Sequence, residues 1–180
     1  MDDKRGRFEA QVLPHLDAAY RYARWLARSA HDADDIVQEA TLRAYRSFED
    51  LRGADGKAWL LTIIRNCHLT AAKQQQRRGS VPLPEDGDES GGELAADGPD
   101  PETEAIHRDN QRTLQRLLAA LPHEHREVLV LREIEDLEYR EIATITNLPI
   151  GTVMSRLARA RAALRTRWQH EIRGEFNGMR

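Results

Sequence analysis

Apolar residues recur at three- and four-residue steps along most of this chain and nowhere alternate strictly with polar ones, so the pattern predicts helices and no strands. Val12, Leu16, Ala19, Tyr20, Ala23, Leu26 and Ala27 form a first stripe. Pro14 leaves its N-terminal boundary open, because proline is best tolerated in a first helical turn. A second stripe runs from about Asp32 to Phe48 and turns Ile36, Val37, Ala40, Ala44 and Phe48 inward. Its start is rich in carboxylates (Asp32, Asp34, Asp35), which suit the positive end of a helix. Gly53 and Gly56 interrupt the chain before a third stripe of Trp59, Leu60, Ile63, Ile64, Cys67 and Ala71, which fades into Lys73-Gln-Gln-Gln-Arg-Arg78.

From Gly79 to Pro101 the periodicity stops. Proline and glycine are frequent there and large apolar residues almost absent, a composition that cannot bury a core. Residues 79–104 are therefore expected to be a flexible linker, reaching roughly 25 Å on average as a coil. It would let the units on either side, 1–78 and 105–173 with a tail at 174–180, sit far apart on a large partner. Four more helical patterns follow it. Ile106, Leu114, Leu117, Leu118 and Leu121 make one stripe, and Pro122 opens the next helix, where its missing N–H costs little. Glu127-Val-Leu-Val-Leu131 is apolar almost all round, as a central bundle helix would be. The fold class expected is all-α, two small helical domains joined by an acidic linker. Units of this size bury modest cores and should each be marginally stable alone.

Charge changes this picture once it is divided along the chain. The net charge is −3, yet residues 80–104 hold nine carboxylates (Glu85, Asp86, Asp88, Glu89, Glu93, Asp97, Asp100, Glu102, Glu104) and no Lys or Arg. The remainder carries +6, so a basic protein wears an acidic strap. No apolar run is long enough to span a bilayer, and the start, Met1-Asp-Asp-Lys-Arg, leads into an amphipathic stretch and not a secretory signal. Cys67 is the only cysteine, which rules out an intramolecular disulfide and a cysteine-rich zinc site. The chain reads as cytoplasmic.

The densest signal lies in Tyr139–Leu157. Ile142 and Ala143 face inward, the small alanine letting a second helix cross closely. Asn147 falls where a turn needs a left-handed residue, and Leu148 and Ile150 are expected to plug the corner. Val153, Leu157, Ala160 and Leu164 then form a buried face, with Thr152, Ser155, Arg156 and Arg159 expected opposite. This is a helix-turn-helix pattern: hydroxyls and arginines near a helix N-terminus read base edges in a major groove. Arg161, Arg165 and Arg167 extend the positive charge toward the backbone. Charge alone fits a plain solvated helix face equally well; the turn spacing and the hydroxyl–arginine set favour DNA.

Three groups of residues together resemble one family. Asp32-Ala-Asp-Asp-Ile-Val-Gln-Glu-Ala-Thr-Leu-Arg-Ala-Tyr45 resembles the polymerase-binding helix of bacterial sigma factors, and Lys57-Ala-Trp-Leu-Leu-Thr-Ile-Ile-Arg-Asn66 the helix after their −10 recognition loop. Leu121-Pro-x₃-Arg-Glu-Val-Leu-x-Leu131, Tyr139-Arg-Glu-Ile-Ala143 and Gly151-Thr-Val-Met-Ser-Arg-Leu-Ala-Arg-Ala-Arg161 resemble their −35 domain. The blocks come in the family's order without extra domains, as in the short extracytoplasmic-function (ECF) group.

That resemblance implies roles. Asp35, Gln38, Glu39 and Arg43 would meet the β′ clamp helices of core RNA polymerase, although the same four also fit an ordinary charged surface. Arg52, Lys57, Trp59, Arg65, Asn66 and Lys73 would handle separated −10 DNA by base capture, stacking and phosphate contact. Arg77 and Arg78 would add phosphate contacts. Trp59 equally fits the core and Asn66 a cap. Arg140, Thr152, Ser155, Arg156, Arg159 and Arg161 would serve the −35 duplex. Met154 stands where many members have a basic or polar residue. Core polymerase (β′ clamp and β flap) and promoter DNA are the implied partners. An anti-sigma factor is implied too, able to hold the chain at the inner membrane. The acidic linker would thread toward the polymerase's active-site and RNA-exit channels.

Other classes fit less well. His31-Asp32-x-Asp34-Asp35 and His123-x-His125 suggest metal sites only weakly, since a hard cation needs ligands converging from several elements. With no nucleophile–base pairing and no glycine-rich phosphate loop, neither catalysis, a cofactor, a metal nor a small-molecule substrate is expected. A sigma-like decoy that binds an anti-sigma factor without initiating transcription is the alternative reading. A stand-alone repressor would need a sensor or dimerisation unit where the first two blocks stand.

Overall fold

In a computed structural model the described residues are 2–27, 29–51, 55–77 and 112–178, and all their regular structure is helical. The linker at 79–104 and the positions Arg52, Arg78 and Ile106 lie outside them. Helix α1 (Asp2–Gln11) and α2 (Leu16–Leu26) are separated by a 3₁₀ turn, Leu13–His15, that places Pro14 in its first turn. The first apolar stripe is thus broken where its boundary was open. Tyr20, expected inward, is exposed, and Tyr22 is fully buried in its place. The cause is the phase set by Ala19, Ala23 and Leu26, which brings Tyr22 inward and leaves Tyr20 on the flank.

Helix α3 (Ala30–Arg46) starts at Ser29, whose Oγ accepts the Asp32 N–H at 3.1 Å, and turns Ala33, Ile36, Ala40 and Ala44 into the core. Such an N-cap hydrogen bond satisfies one of the orphan donors of the first turn. The alanines keep α3 close to its neighbours. Helix α4 (Gly56–Arg77) packs against both α2 and α3. Gly56 is required: a Cβ there would stand 2.2 Å from the Gln11 carbonyl oxygen at the end of α1.

The second group comprises α5 (residues 112–119), α6 (His123–Leu129), α7 (Tyr139–Thr146) and α8 (Ile150–Gly178). Leu117, Leu118 and Leu121 are buried, whereas Leu114 is exposed. Pro122 caps α6, and its carbonyl accepts from the His125 and Arg126 N–H groups. Val128 to Leu131 are buried without interruption, as a helix apolar all round requires. The helix then widens into a π turn, Val130–Ile134, with Glu135 N–H donating to the Val130 carbonyl five residues back. Asp136, at φ 51°, ends it.

The two groups do not sit apart. Leu60, Leu61, Ile64 and Leu118, Leu129, Leu131, Ile142 belong to one continuous apolar core, and α4 packs along α7. Two modest cores become one larger one by docking, which removes apolar surface that each unit would otherwise expose.

Candidate nucleic-acid interface

The helix-turn-helix is built as the spacing predicts. The Glu141 side chain accepts the Glu138 N–H at 2.7 Å and starts α7. Asn147 ends it at φ 54°, ψ 45°, and the Leu148 N–H returns to the Ala143 carbonyl at 3.0 Å, a left-handed helix stop. Ile142 and Ile145 lock against Val153, Leu157 and Ala160 of α8. Leu148 packs on that core, but Ile150, expected to plug the corner with it, is 42% exposed. Ile150 keeps the helical phase of Val153 and Leu157, but as the first residue of α8 it stands at the open end of that face.

The outward side of α8 is formed by Gly151, Met154, Ser155, Ala158, Arg159 and Ala162, all exposed. Ser155 Oγ donates to the Thr152 carbonyl, and Arg159 projects beyond it. Three of these six are glycine or alanine, so a flat ligand surface meets little side-chain bulk. Thr152 and Arg156, expected on this face, are half-buried on its flank. Arg156 Nη2 lies 2.9 Å from Glu124 of α6. Arg161 is exposed yet engaged: its Nε and Nη2 donate to Glu133 at 3.0 and 2.6 Å. The Glu133 hydrogen bond, followed by one to Tyr139, holds its guanidinium pKa up. Arg140, Arg165 and Arg167 are exposed.

The residues assigned to −10 DNA separate into two sets on α4. Trp59, Asn66 and Lys73, spaced by seven, share one side; Asn66 and Lys73 are exposed and Trp59 packs half-buried on the core. Lys57 and Arg65 lie on another side, facing the C-terminal group of helices. Lys57 Nζ is 3.0 Å from Glu135 Oε2 and 2.7 Å from the Glu135 carbonyl oxygen. Arg65 Nε donates to Glu127 Oε1 at 2.7 Å, and Tyr22 Oη donates to the same oxygen at 3.0 Å. Burial first, then the Glu127 carboxylate, pushes the Tyr22 phenol well above its ordinary range. Arg21, absent from the sequence reading, grips Glu135 with Nε and Nη2 at 3.0 and 3.1 Å. Nearby in sequence, Arg24 is buried with its Nη1 unsatisfied.

On α3, Asp35, Gln38 and Arg43 are exposed and Glu39 half-exposed, with Arg43 Nε donating to Glu39 at 2.6 Å. That hydrogen bond raises the Arg43 pKa. Leu42, 53% exposed, stands among them, an apolar centre in a charged rim that charge-based reading passed over. Cys67 of α4 is buried near Arg43 and Glu39, and desolvation pushes its thiol pKa up. No cluster of three or more His, Cys, Asp or Glu that could hold a metal occurs among the described residues. No described helix is long and apolar enough to cross a membrane.

Comparison with known proteins supplies the family and the fold. Residues 12–78 match the family model for sigma-70 region 2, and residues 111–164 that for sigma-70 region 4. The ECF RNA polymerase sigma factor SigE of Mycolicibacterium smegmatis is 36% identical over 156 residues, 86% of this chain; the chain spans 58% of that relative's length. SigW of Bacillus subtilis, also an ECF RNA polymerase sigma factor, is 32% identical over 159 residues, covering 84% of this chain and 83% of that protein. Among solved structures, the sigma factor RpoE from Bartonella quintana, in complex with the anti-sigma factor NepR, superposes with a TM-score of 0.71 at 25% identity, over 91% of this chain and 97% of that one. The chain belongs to the extracytoplasmic-function family of RNA polymerase sigma factors.

Proposed function

We propose that the chain joins core RNA polymerase and directs it to promoters whose −35 element is read by α8 and whose melted −10 strand is held by the loop before α4 and by α4 itself. The observation that carries this is the outward face of α8. Ser155 and Arg159 stand exposed beside small residues on the side opposite Val153, Leu157 and Ala160. An arginine there suits a guanine edge, and the serine a base or phosphate. Met154, 52% exposed, and Ile150 one turn earlier give the same surface an apolar edge, which matches a thymine methyl. Thr152, Arg156 and Arg161 flank the groove and Arg140 adds charge from α7, all suited to phosphates.

On the N-terminal side, Asn66 and Lys73 would track the single strand, with Trp59 behind them. Lys57 and Arg65, with Arg52 of the loop, would complete the strip once released from Glu135 and Glu127. Asp35, Gln38, Glu39 and Arg43 around Leu42 would dock on the β′ clamp helices: an apolar anchor with a charged rim is the common anatomy of a specific interface. The C-terminal helices would meet the β flap. Residues 1–78 and 105–173 would act as the two domains, joined by the acidic linker. Likeness to a sigma factor solved with an anti-sigma factor supports a partner of that kind for this chain, in the cytoplasm or at the inner face of the membrane.

Selection of random duplexes by polymerase reconstituted with the chain tests the reading. It should enrich one bipartite motif, whose upstream half blurs with Ser155→Ala plus Arg159→Ala and loses a thymine with Met154→Ala. Core binding without any enriched motif would refute it. Failure to bind core while an anti-sigma factor is still captured would favour the decoy.

A further inference from the structure

Two arginines that bracket the outward face of α8 are already engaged. Arg156 Nη2 lies 2.9 Å from Glu124 Oε2 in the first turn of α6. Arg161 donates from Nε and Nη2 to Glu133 Oε1 in the π turn, at 3.0 and 2.6 Å. Helical phase puts the two on opposite flanks of the face that carries Ser155 and Arg159, with Val153, Leu157 and Ala160 behind. Arg159 is exposed and pairs with no carboxylate among the described residues. The corner that presents Glu133 is braced by its neighbour Arg132. That guanidinium lies 5.3 Å from the Tyr139 ring centre, and its Nη1 donates to the Leu137 carbonyl at 2.7 Å. Both carboxylates stay open to water, Glu124 65% and Glu133 49% exposed, so these are pairs that a competing anion can enter.

We propose that Glu124 and Glu133 set the sequence discrimination of α8 by competing with DNA phosphates for Arg156 and Arg161. The inference rests on reading α8 as the −35 interface and adds two residues that act without touching a base. A helix in a major groove has a phosphate backbone on either side, so each flank arginine faces one strand. A phosphate that takes the guanidinium must displace a carboxylate, and one oxyanion exchanged for another gains little. The displaced carboxylate is then left beside the phosphate as a like charge. Ser155 and Arg159 meet base edges with no such competitor. The effect falls unequally on right and wrong sequences. Without base contacts to fix it, α8 on an arbitrary duplex can shift to satisfy any free cation, so unpaired Arg156 and Arg161 would tighten binding there most. On the matching sequence the base contacts fix one pose, and the gain is limited to phosphates within reach of it. Discrimination is the difference between those two affinities, and the carboxylates widen it.

The test uses the full chain with Glu124→Gln and Glu133→Gln together, both at exposed positions. The probe is a fluorescein-labelled DNA duplex of random sequence, read by anisotropy over a salt series. The expected result is roughly tenfold tighter binding at low salt and a salt slope steeper by about 1.8, at ~0.9 for each arginine released to a phosphate. The variant's preference for the motif that polymerase selects, over the random duplex, should fall severalfold. Tighter binding to both by the same factor would overturn the role in discrimination. Asp17→Asn with Asp34→Asn, exposed and charge-matched, should leave the slope unchanged. Adding Arg156→Gln and Arg161→Gln to the first variant should remove the steepening; a steepening that survived them would assign the gain to net charge and overturn the proposal. An unchanged slope in a folded variant, with Arg159→Ala still making the wild-type slope shallower, would overturn the competition and leave α8 as the duplex interface. Indifference of the slope to all of these changes would take the −35 reading down as well. Weaker binding by the glutamine variant would overturn the proposal by making the carboxylates supports of the arginines.

Discussion

Arg65 and Glu127 meet 2.7 Å apart across the two halves of the chain, the guanidinium mostly buried and the carboxylate almost wholly so. A charge at that depth is stable only while it is paired. Arg65→Met should therefore lower the unfolding free energy by about 3 kcal/mol, most of it the cost of a stranded carboxylate. Glu127→Gln in the same background should recover more than about 1 kcal/mol of that loss. A double-mutant cycle by urea denaturation measures the coupling. Additive single effects would show that the two do not interact.

Tyr22 gives the same seam a pH dependence. Burial and the Glu127 carboxylate push its phenol well above the ordinary tyrosine range, so the folded state keeps the proton that the unfolded state releases. The stabilisation is fully present below the unfolded phenol's pKa and is lost as pH rises through the folded value. Tyrosinate absorbance should show one of the four tyrosines ionising last, together with loss of structure, and Tyr22→Phe should remove that component. Early ionisation of all four would place Tyr22 in contact with water.

Gly56 tests the join between α1 and α4. Because the atom a new Cβ would strike is backbone, Gln11 O at 2.2 Å, no side-chain rotation relieves the clash. Gly56→Ala should cost about 2 kcal/mol, at the upper end for a single added methyl. A melting temperature equal to wild type would mean that α1 does not lie there.

The helix-turn-helix corner depends on one left-handed residue. Asn147→Val should cost about 1–2 kcal/mol, because a β-branched side chain strains φ 54°, whereas Asn147→Gly should be within a few tenths. Equal stability of all three proteins would remove the left-handed turn.

Much of this architecture is legible in the sequence because its signals are local. Helical periodicity gives the elements, Asn147 gives the turn, and Pro122 and the Asp32, Asp34 and Asp35 carboxylates mark helix starts, the second of them fixed at Ser29 only by the structure. The docking of the two halves is not local and leaves no periodic signal in the sequence. A linker with few large apolar residues implies separable units, but the cations that close the seam look like ordinary DNA contacts in the sequence. Glu127 was absorbed into an apolar run, and Glu135 sits among other surface-like acids until the π turn carries it inward. Arg21 was hidden on a stripe read for its apolar phase. Helical phase alone cannot reveal that the Arg156 flank of α8 lies against α6, nor that Ile150, on the buried phase but at the helix's first residue, is left uncovered. Leu42 was passed over because a single exposed leucine on a charged helix carries no periodic signal.

The most direct test of the functional account is run-off transcription by core polymerase with the purified chain over a promoter library. Arg159→Ala and the pair Asn66→Ala with Lys73→Ala change only exposed positions on α8 and α4, so the fold should persist. The account predicts promoter-selective transcripts with the wild-type chain, weakened by either variant. Transcripts indifferent to both variants, or none at all from a chain that binds core, would contradict it.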